Sequence, residues 1–484
     1  MFNNKKDTMA KKKTLISLLA DNNIGFDFIQ NEKGLKAYEE DFVSIDADNA
    51  DDYAKTGNFS GVNIYNFTPD EIPNFDKVCA DASIWSYALP IVEIALSEMT
   101  EKQVFALLGV VGSDLKTLTL NYTKFNKLEL DKIVKACPKL SKLELTDSNW
   151  DRDNRLPVEL DKIGKQKFES IICRQFAIYD EVDWSSLNID SLILDDCDTS
   201  KITFPSKLKS LNCSPTNDKV AVNGGADLSD LTLIVNNEST KSVDLSGLSN
   251  LRSLDLNLTN ADKVKVKFPS ALTSLTLNVS FESGWSFSFL KELTNLESLS
   301  IRTDGSGSKN YDSISSLTKL KKFSLDENGV GNNTFKSDFK SEHLKAFKQL
   351  QELALKNVVN LPDFSFVKEL PALKLLDINT SRVKSLKGLE SGSVETLHMH
   401  DCHGISDWTP ILKTKIKDLK FIISGYWGTE VEMTPKTVNQ LADSAVQSAE
   451  ICLDKVKLLK KDLKALEKVF TLEIDYGSLF LERK

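Results

Sequence analysis

Apolar side chains recur along the chain at a fixed, asymmetric spacing. In the middle of the sequence, Leu251, Leu254 and Leu256 are separated by two residues and then by one, and the same spacing returns from Leu272 and from Leu296. Successive side chains of a β-strand point to opposite faces, so residues two apart share a face. Each unit therefore predicts one short strand with an apolar and a polar face, repeated here every 21 to 24 residues.

Sixteen such units follow one another along the sequence. They begin at Leu115, Leu140, Phe168, Ile189, Leu208, Leu228, Leu251, Leu272, Leu296, Leu320, Leu350, Leu373, Val394, Ile416, Ser448 and Val469, and weaker matches begin at Phe59 and Leu89. The mean period is about 23.6 residues, which lies within the range of repeat proteins. Because a single core seldom grows much beyond roughly 250 residues, this periodicity in 484 residues predicts stacked coils.

The segments between the strands predict two kinds of return. Short repeats of 19 to 21 residues leave room only for an extended segment, as in the echoing sequences Phe204-Pro205-Ser206 and Phe268-Pro269-Ser270. Longer repeats carry helical patterns, which predict helices over 128–136, 287–293, 343–350, 438–446 and 456–469.

The pattern resembles the leucine-rich repeat superfamily over roughly residues 89–484. The resemblance implies an α/β fold: a leucine-rich repeat solenoid with a curved parallel β-sheet on the concave side and mixed helices and extended segments on the convex side. In that family the residue three after the last strand position is usually Asn, Cys, Thr or Ser and bonds neighbouring loop backbone. Here it is Thr123, Ser148, Cys197, Thr216, Asn236, Thr259, Ser280, Asn328, Ser381 or Cys402, with departures at Phe176, Asp304 and Val358.

The first part of the chain fits the repeat poorly. We expect residues 1–58 to form a tail and an N-terminal cap, and residues 59–484 to form the repeats, with firm repeats from about residue 115. A start at Met9 would place Lys11–Lys13 before an apolar run that is shorter than the roughly 7 to 15 residues of a signal core. Whether Met1 or Met9 is the start stays open, and secretion is the less favoured alternative to a cytoplasmic, intracellular location.

The net charge and the positions of the cysteines limit the kinds of partner and site that we expect. The formal charge is −9, which removes the counterion-release drive of general nucleic-acid binding, so we expect none. The seven cysteines are scattered and never form a C-x-x-C pair, so they indicate neither a zinc site nor a disulfide framework. Extracellular members of the resembled family close their ends with clustered cysteines, and this pattern is missing. No run reaches the roughly 20 apolar residues of a transmembrane helix.

The polar positions between the strand leucines predict the binding surface, because they face away from the core. In the middle repeats the predicted partner-binding residues on the concave face are Ser253, Asp255, Asn257, Ser274, Thr276, Asn278, Ser298, Ser300 and Arg302. Short hydroxyl and amide groups can both donate and accept hydrogen bonds. They predict either an exposed, merely soluble sheet or a docking surface for a protein.

A second candidate lies nearer the C-terminus. His398 and His400 are two apart on one predicted strand, with Asp377 on the strand before and Asp418 on the strand after. This set could be an ordinary polar surface, part of the partner-binding face, a weak metal site or a pH-dependent contact patch. We expect no resident metal and no cofactor.

No catalytic motif is present among those we sought, which were phosphate-binding, zinc-protease, nucleophile-elbow and dinucleotide-binding patterns. The sequence therefore favours a non-enzymatic scaffold that binds a protein partner. An adaptor or effector acting with a separate enzyme, such as a ubiquitin ligase, is the first alternative, and a metal- or pH-dependent binder using His398 and His400 is the second. The oligomeric state is open.

Overall fold

The computed structural model describes most of the chain from residue 90 onward and short parts before it. The described residues are 19, 22, 24–30, 59–69, 74–80, 90–122, 124–125, 127–147, 154–178, 181–200, 202–215, 218–236, 238–259, 264–280, 285–303, 308–327, 338–358, 361, 363–379, 383–402, 404–405, 407–423, 431–432, 435–452 and 456–484. Contacts divide the chain into two units, Met1–Pro215 with Val222–Leu228, and Thr216–Ala221 with Ser229–Lys484. The predicted boundary at residue 58 stays a prediction.

Among its described residues, the first unit contains short strands and three α-helices. Its strands are β1 (Phe26–Gln30), β2 (Phe59–Phe67), β3 (Ile91–Ser97), β4 (Thr117–Asn121), β5 (Lys142–Thr146), β6 (Lys167–Arg174), β7 (Val182–Asp183), β8 (Asn188–Asp195), β9 (Ile202–Phe204), β10 (Ser210–Cys213) and β12 (Asn223–Gly224). Its helices are α1 (Phe75–Ala80), α2 (Glu101–Val111) and α3 (Leu130–Ala136), with 3₁₀ turns at Gly112–Asp114 and Leu160–Ile163.

Strands β2, β3, β4, β5, β6, β8 and β10 pair in parallel in that order, and β1 pairs antiparallel with β2. Ile94 lies beside Leu118, and Leu96 beside Leu120. The unit predicted to begin at Leu89 is therefore wrong by two residues and begins at Ile91. A sequence rich in apolar residues at 89–96 offers two overlapping matches, and pairing with β4 selects the second.

Helix α2 shows how a return element is fixed by its sequence. Thr100 caps the helix: its side chain accepts a hydrogen bond from Gln103 N, and Gln103 Oε1 accepts one from Thr100 N at 2.9 Å. This capping box satisfies two N–H groups that the first turn leaves free. Val104, Leu107, Leu108 and Val111 are buried; their helical spacing places one apolar face against the strands.

The second unit contains the longer run of coils. Its strands are β11 (Lys219–Ala221), β13 (Asp230–Val235), β14 (Ser242–Asp244), β15 (Ser253–Thr259), β16 (Lys265–Lys267), β17 (Ser274–Ser280), β18 (Ser298–Thr303), β19 (Lys322–Glu327), β20 (Glu352–Lys356), β21 (Leu375–Asn379), β22 (Thr396–His400), β23 (Asp418–Ile422), β24 (Val431–Glu432), β25 (Ser448–Cys452), β26 (Val456–Lys457), β27 (Phe470–Asp475) and β28 (Ser478–Arg483). Its α-helices are α4 (Pro435–Asp443) and α5 (Lys460–Leu466).

Ten strands of this unit pair in parallel and in register. Their order is β13, β15, β17, β18, β19, β20, β21, β22, β23 and β25. The register stacks the predicted leucines into continuous rows: Leu254 pairs with Leu275, and Leu256 with Leu277. These side chains are at most 1% exposed. The core is therefore a ladder of apolar groups along one face of the sheet.

The returns on the other side of this core are shorter than the helical patterns predicted. The helix predicted at 287–293 is a 3₁₀ turn at Ser288–Glu292, the one at 343–350 is a 3₁₀ turn at Ser341–Ala346, and α5 covers only part of 456–469. Further 3₁₀ turns occupy Tyr311–Ser316, Ser365–Glu369, Leu389–Ser391 and Thr409–Lys413. A 3₁₀ turn rises about 2.0 Å per residue, so five or six residues suffice to cross a coil. The three successive repeats between Leu208 and Leu272 instead carry β11, β14 and β16, which pair in parallel.

The C-terminal end departs from the predicted repeats. Leu419 pairs with Ala449 and Phe421 with Ile451, so the unit predicted from Ser448 is wrong by two residues and begins at Val446, which is fully buried. The unit predicted from Val469 is not a parallel coil: β27 and β28 form an antiparallel hairpin, and β28 pairs antiparallel with β25. The hairpin covers the last coil with Leu479 and Leu481, which are buried.

Candidate functional site

The face of the second unit's sheet that is turned away from its core carries the predicted partner-binding residues, and we call it the open face. In β15, Leu254, Leu256 and Leu258 are buried, whereas the intervening side chains are only half-buried. The register forms three rows across β15, β17 and β18: Ser253, Ser274 and Ser298; Asp255, Thr276 and Ser300; and Asn257, Asn278 and Arg302. The structure thus brings these nine residues together; their role in binding stays a prediction.

The rows continue into residues that the sequence analysis left out. The register adds Lys322, Ser324 and Asp326 from β19 and Glu352, Ala354 and Lys356 from β20. Lys322 Nζ lies 2.8 Å from Glu352 Oε1. The spacing of apolar residues in the sequence was enough to find these residues, because Leu320 and Leu350 begin units of the same pattern. Small side chains on β17, β18 and β19 form a low floor in the middle row.

Some hydrogen-bonding groups of the open face beside this floor are incompletely satisfied. Asn278 Nδ2 donates a long hydrogen bond of 3.5 Å to Asp255 Oδ1. Burial raises the pKa of the Asp255 carboxyl above its ordinary value, because desolvation destabilises the carboxylate relative to the neutral acid. Asn257 Oδ1 is buried and accepts no hydrogen bond within the described residues.

A recess of about 390 Å³ opens where β15, β17 and β18 end. It is lined by Asn257, Thr259, Asn278, Val279, Ser280, Arg302 and Thr303. Such a volume lies at the lower end of the range for small-ligand sites, roughly 300–1,000 Å³. It can hold one or two amino-acid residues. Sequence analysis identified three lining residues but could not reveal the recess.

The two histidines lie on the same open face, four strands further on than β18. The register places Asp377 beside His398 and His398 beside Lys420, and Asn379 beside His400. His400 Nε2 is 3.9 Å from Asp377 Oδ1, too far for a hydrogen bond. Within the part of the chain that the structure describes, His398 Nε2 and Asp377 Oδ1 are buried without hydrogen-bond partners.

The metal candidate receives no support from this arrangement. Asp418 belongs to a different row from His398, and Ser448 Oγ donates to its Oδ1 at 3.3 Å. Among the described residues, no three His, Cys, Asp or Glu side chains come together in a way that could hold a metal ion. His403 lies outside the described residues.

The cysteines are free thiols, and six of the seven are buried. Burial raises the pKa of Cys79, Cys137, Cys197 and Cys213 to about 12. Since the thiolate is the nucleophile, thiols with such pKa values are poor nucleophiles at neutral pH. They pack as small apolar groups instead.

Two of these thiols link successive coils. Cys402 lies three residues after the last buried residue of β22, and its Sγ is 3.4 Å from His400 O and 3.8 Å from Ile378 O. Cys197 makes the equivalent contacts in the first unit. Buried leucines in register, one strand per coil and a polar ladder at this position together define the architecture. The chain folds as a leucine-rich repeat solenoid.

Comparisons with known proteins found similarity to solved structures only. The solenoid matches no protein-family model, and no curated protein matches its sequence. Solved structures similar to it are the mouse RP105/MD-1 complex (TM-score 0.44, 15% identity, covering 78% of this chain and 69% of that one), the LRR protein LIC12759 of Leptospira interrogans (0.30, 15%, 69% and 80%) and the functional domain of InlJ from Listeria monocytogenes (0.35, 13%, 80% and 83%).

No helix among the described residues is long and apolar enough to cross a lipid bilayer. The helices of the second unit are short: α4 has nine residues and α5 has seven. Helix α5 packs beside α4 and buries Leu466, so it belongs to the return side of its coil.

Proposed function

We propose that this protein is a non-enzymatic scaffold that binds a protein partner on the open face of its second unit. The observation that carries the proposal is the regular array of short polar side chains on the open face of β15, β17 and β18. Within this array, Asn257 Oδ1 stays without a hydrogen-bond partner among the described residues. Buried polar groups are normally satisfied. A rotation of the Asn257 side chain would turn this oxygen toward the open face, where a bound protein would supply the missing donor.

The size of the face suits a protein rather than a small molecule alone. Ten parallel strands at about 4.8 Å spacing extend for roughly 43 Å, and each presents two or three open-face residues. A standard protein interface buries on the order of 800 Å² per partner. The open face therefore offers enough area for one folded domain or for an extended segment.

The proposal is tested by a substitution in the centre of the floor. Thr276 lies in the middle row, and Thr276→Arg places a long charged side chain there without touching the core. Its matched control is Thr318→Arg, since Thr318 is an exposed residue in the turn before β19. Partners are captured from an extract of the native cells with the wild type and with both variants and are identified by mass spectrometry.

We expect the wild type and Thr318→Arg to recover the same set of proteins and Thr276→Arg to lose it. Thermal unfolding checks that both variants fold. Equal recovery by Thr276→Arg would show that binding, if any, uses another surface. The identity of the recovered proteins then separates a plain scaffold from an adaptor or effector, because only the latter brings the subunits of a separate enzyme.

A further inference from the structure

One arginine of the open face forms no ion pair among the described residues. Arg302 is exposed at the end of β18, lines the recess, and makes no hydrogen bond or ion pair within the described residues. Its register neighbour on β19 is Asp326, but the Asp326 carboxylate accepts a hydrogen bond from Asn357 Nδ2 at 2.9 Å. Because Arg302 is exposed and unpaired, its guanidinium is available to an incoming group.

The other described arginines are all engaged. Arg155 is paired with Asp196 at 2.5 Å, and Arg174 is paired with Glu144. Arg252 donates to the carbonyl oxygen of Ser249 at 3.2 Å, and Arg483 donates to that of Val446 at 2.6 Å and to two further carbonyls. Arg302 is the exception among the five arginines that the structure describes, and it lines the recess.

The recess also presents an acceptor that needs a donor. Asn257 lies in the same row as Arg302, with Asn278 between them. Asn257 Oδ1 is buried and lacks a hydrogen bond among the described residues. Two strand spacings, about 9.6 Å, separate the two backbones, and both side chains line one cavity of about 390 Å³. A single small group can therefore reach both once the Asn257 side chain turns its amide oxygen toward the recess.

The chemistry of the two unpaired groups selects the ligand. A guanidinium prefers a carboxylate, which it can bind through two parallel hydrogen bonds. An amide oxygen takes an N–H donor. An acidic amino-acid residue in a peptide carries both groups, since its carboxylate and its backbone N–H are a few bonds apart. Lysine would meet Arg302 with like charge, and a residue with an apolar side chain would leave the guanidinium unsatisfied.

We propose that the recess holds an acidic residue of a peptide segment, with its carboxylate bound by Arg302 and its amide N–H donating to Asn257 Oδ1. This inference rests on the proposed function and deepens it, because it states which feature of the partner the open face selects. The carboxylate is that of an aspartate or glutamate side chain or that of a C-terminal residue. The two sources share one chemistry and are separated by the test.

The test uses small acylated amino acids and the full chain, so it needs no knowledge of the partner. The probes are N-acetyl-glutamate methylamide, which has only a side-chain carboxylate, N-acetyl-glycine, which has only a terminal one, and N-acetyl-glutamine methylamide, which is neutral. Binding is measured by saturation-transfer NMR with concentration series. We expect at least one acid to bind about tenfold more tightly than the glutamine derivative, because hydrogen bonds to charged groups are the stronger ones.

Variants test whether the acid binds at the recess. Arg302→Gln should weaken binding of the acid about tenfold or more, and Asn257→Leu should weaken it less. The matched control is Lys356→Gln, which removes the same charge from the same row two strands further on. Arg302 is exposed, so its replacement leaves the core intact, and the thermal unfolding midpoint should not change.

Three results overturn the proposal: no binding of either acid, equal binding of the glutamine derivative, or an equal loss in Arg302→Gln and Lys356→Gln. The last would show a general charge effect of the open face. Binding of the glutamate or the glycine derivative supports the proposal and identifies a side-chain or a terminal carboxylate. If the acids fail to bind but Thr276→Arg still abolishes partner capture, the recess assignment fails while the binding function of the open face stands.

Discussion

Leu256 and Thr276 lie on neighbouring strands but on opposite faces of the sheet. Leu256 is fully buried in the apolar ladder, whereas Thr276 is half-buried on the open face. Their contributions to the stability of the fold should therefore differ greatly, although both belong to the same alternation of apolar and polar residues. The difference gives a direct check on which face of each strand forms the core.

We expect Leu256→Ala to lower the free energy of unfolding by about 2–5 kcal/mol, because a buried leucine loses its packing and leaves a cavity. Thr276→Ala should change it by no more than about 0.5 kcal/mol. Urea unfolding followed by circular dichroism measures both values. Similar losses in the two variants would contradict the assignment of the faces.

His398 makes stability depend on pH. Its pKa is lowered from the ordinary value of 6.5, chiefly because burial disfavours the imidazolium; Lys420 and His400 act in the same direction, while Asp377 and Asp418 oppose it. Below pH 6.5 the unfolded chain therefore binds more protons at this residue than the folded chain. The contribution of His398 to stability is full above pH 6.5 and is lost as pH falls toward the lowered pKa.

We expect the free energy of unfolding to fall less steeply between pH 7.5 and pH 5.5 in His398→Gln than in the wild type. Urea unfolding at both pH values measures the difference. Burial also lowers the pKa of His343, so the variant keeps part of the dependence. An unchanged slope in His398→Gln would show that this histidine is as well solvated in the folded chain as in the unfolded one.

The sequence predicted which residues share the open face but not how they interact. Period-two alternation and repeat spacing were enough to place Asn257, Asn278 and Arg302 on one face. Asp326 is the register neighbour of Arg302, yet its carboxylate bonds Asn357 and not Arg302. Residue spacing does not encode this choice between two neighbours. The recess could not be predicted for the same reason, since it results from side-chain packing at the strand ends.

At the scale of elements, some turns depend on a single backbone conformation. Gly388 lies before the 3₁₀ turn at Leu389–Ser391 and has φ of +101°. A Cβ there would lie 2.4 Å from Phe364 C and from Ser365 N, on the return of the preceding coil. Backbone cannot move aside as a flexible side chain does. Both the conformation and the close approach therefore require glycine.

We expect Gly388→Ala to lower the free energy of unfolding by about 1–3 kcal/mol or more. Gly247→Ala is the matched control, because Gly247 has no positive φ and a Cβ there would meet nothing within 4 Å. Urea unfolding compares the two variants. A loss of the same size in both would mean that the strain at Gly388 is relieved by local movement.

The last element shows where pattern reading fails. Val469, Leu472 and Ile474 have the spacing of a repeat unit, yet β27 is the outer strand of an antiparallel hairpin and Ile474 is 61% exposed. Spacing predicts a strand and its apolar face but not the direction of its neighbour. Tyr476 and Gly477, both with positive φ, make the tight turn that reverses the chain, and this was the signal available in the sequence.

At the scale of the whole molecule, each coil contacts mainly the coils next to it. Stability in such a stack is a sum of local terms and nearest-neighbour interfaces. A destabilising substitution at one end of the stack should therefore lower local stability mainly in the coils near that end. Leu481 of β28 is buried against the last coil and offers a suitable place to disturb it.

We expect Leu481→Ala to increase amide hydrogen exchange in β25 and β28 and to leave exchange in β15, β17 and β18 unchanged. The cause is the cavity left beside the last coil, which costs about 2–5 kcal/mol in a buried leucine site. Exchange followed by mass spectrometry reads each strand separately. A uniform increase over the whole second unit would show that its coils unfold together.

The matching register of β17 and β18 has a consequence for how such a chain changes length. Ser274 and Ser298 occupy the same position in successive coils, so a tandem duplication of the 24 residues 274–297 inserts one complete module whose edges fit both flanking modules. The floor then widens by about 4.8 Å, and every older contact on either side is kept. Genetic recombination between repeats can thus adjust the protein to a longer or shorter target in whole steps, without redesign of any single contact.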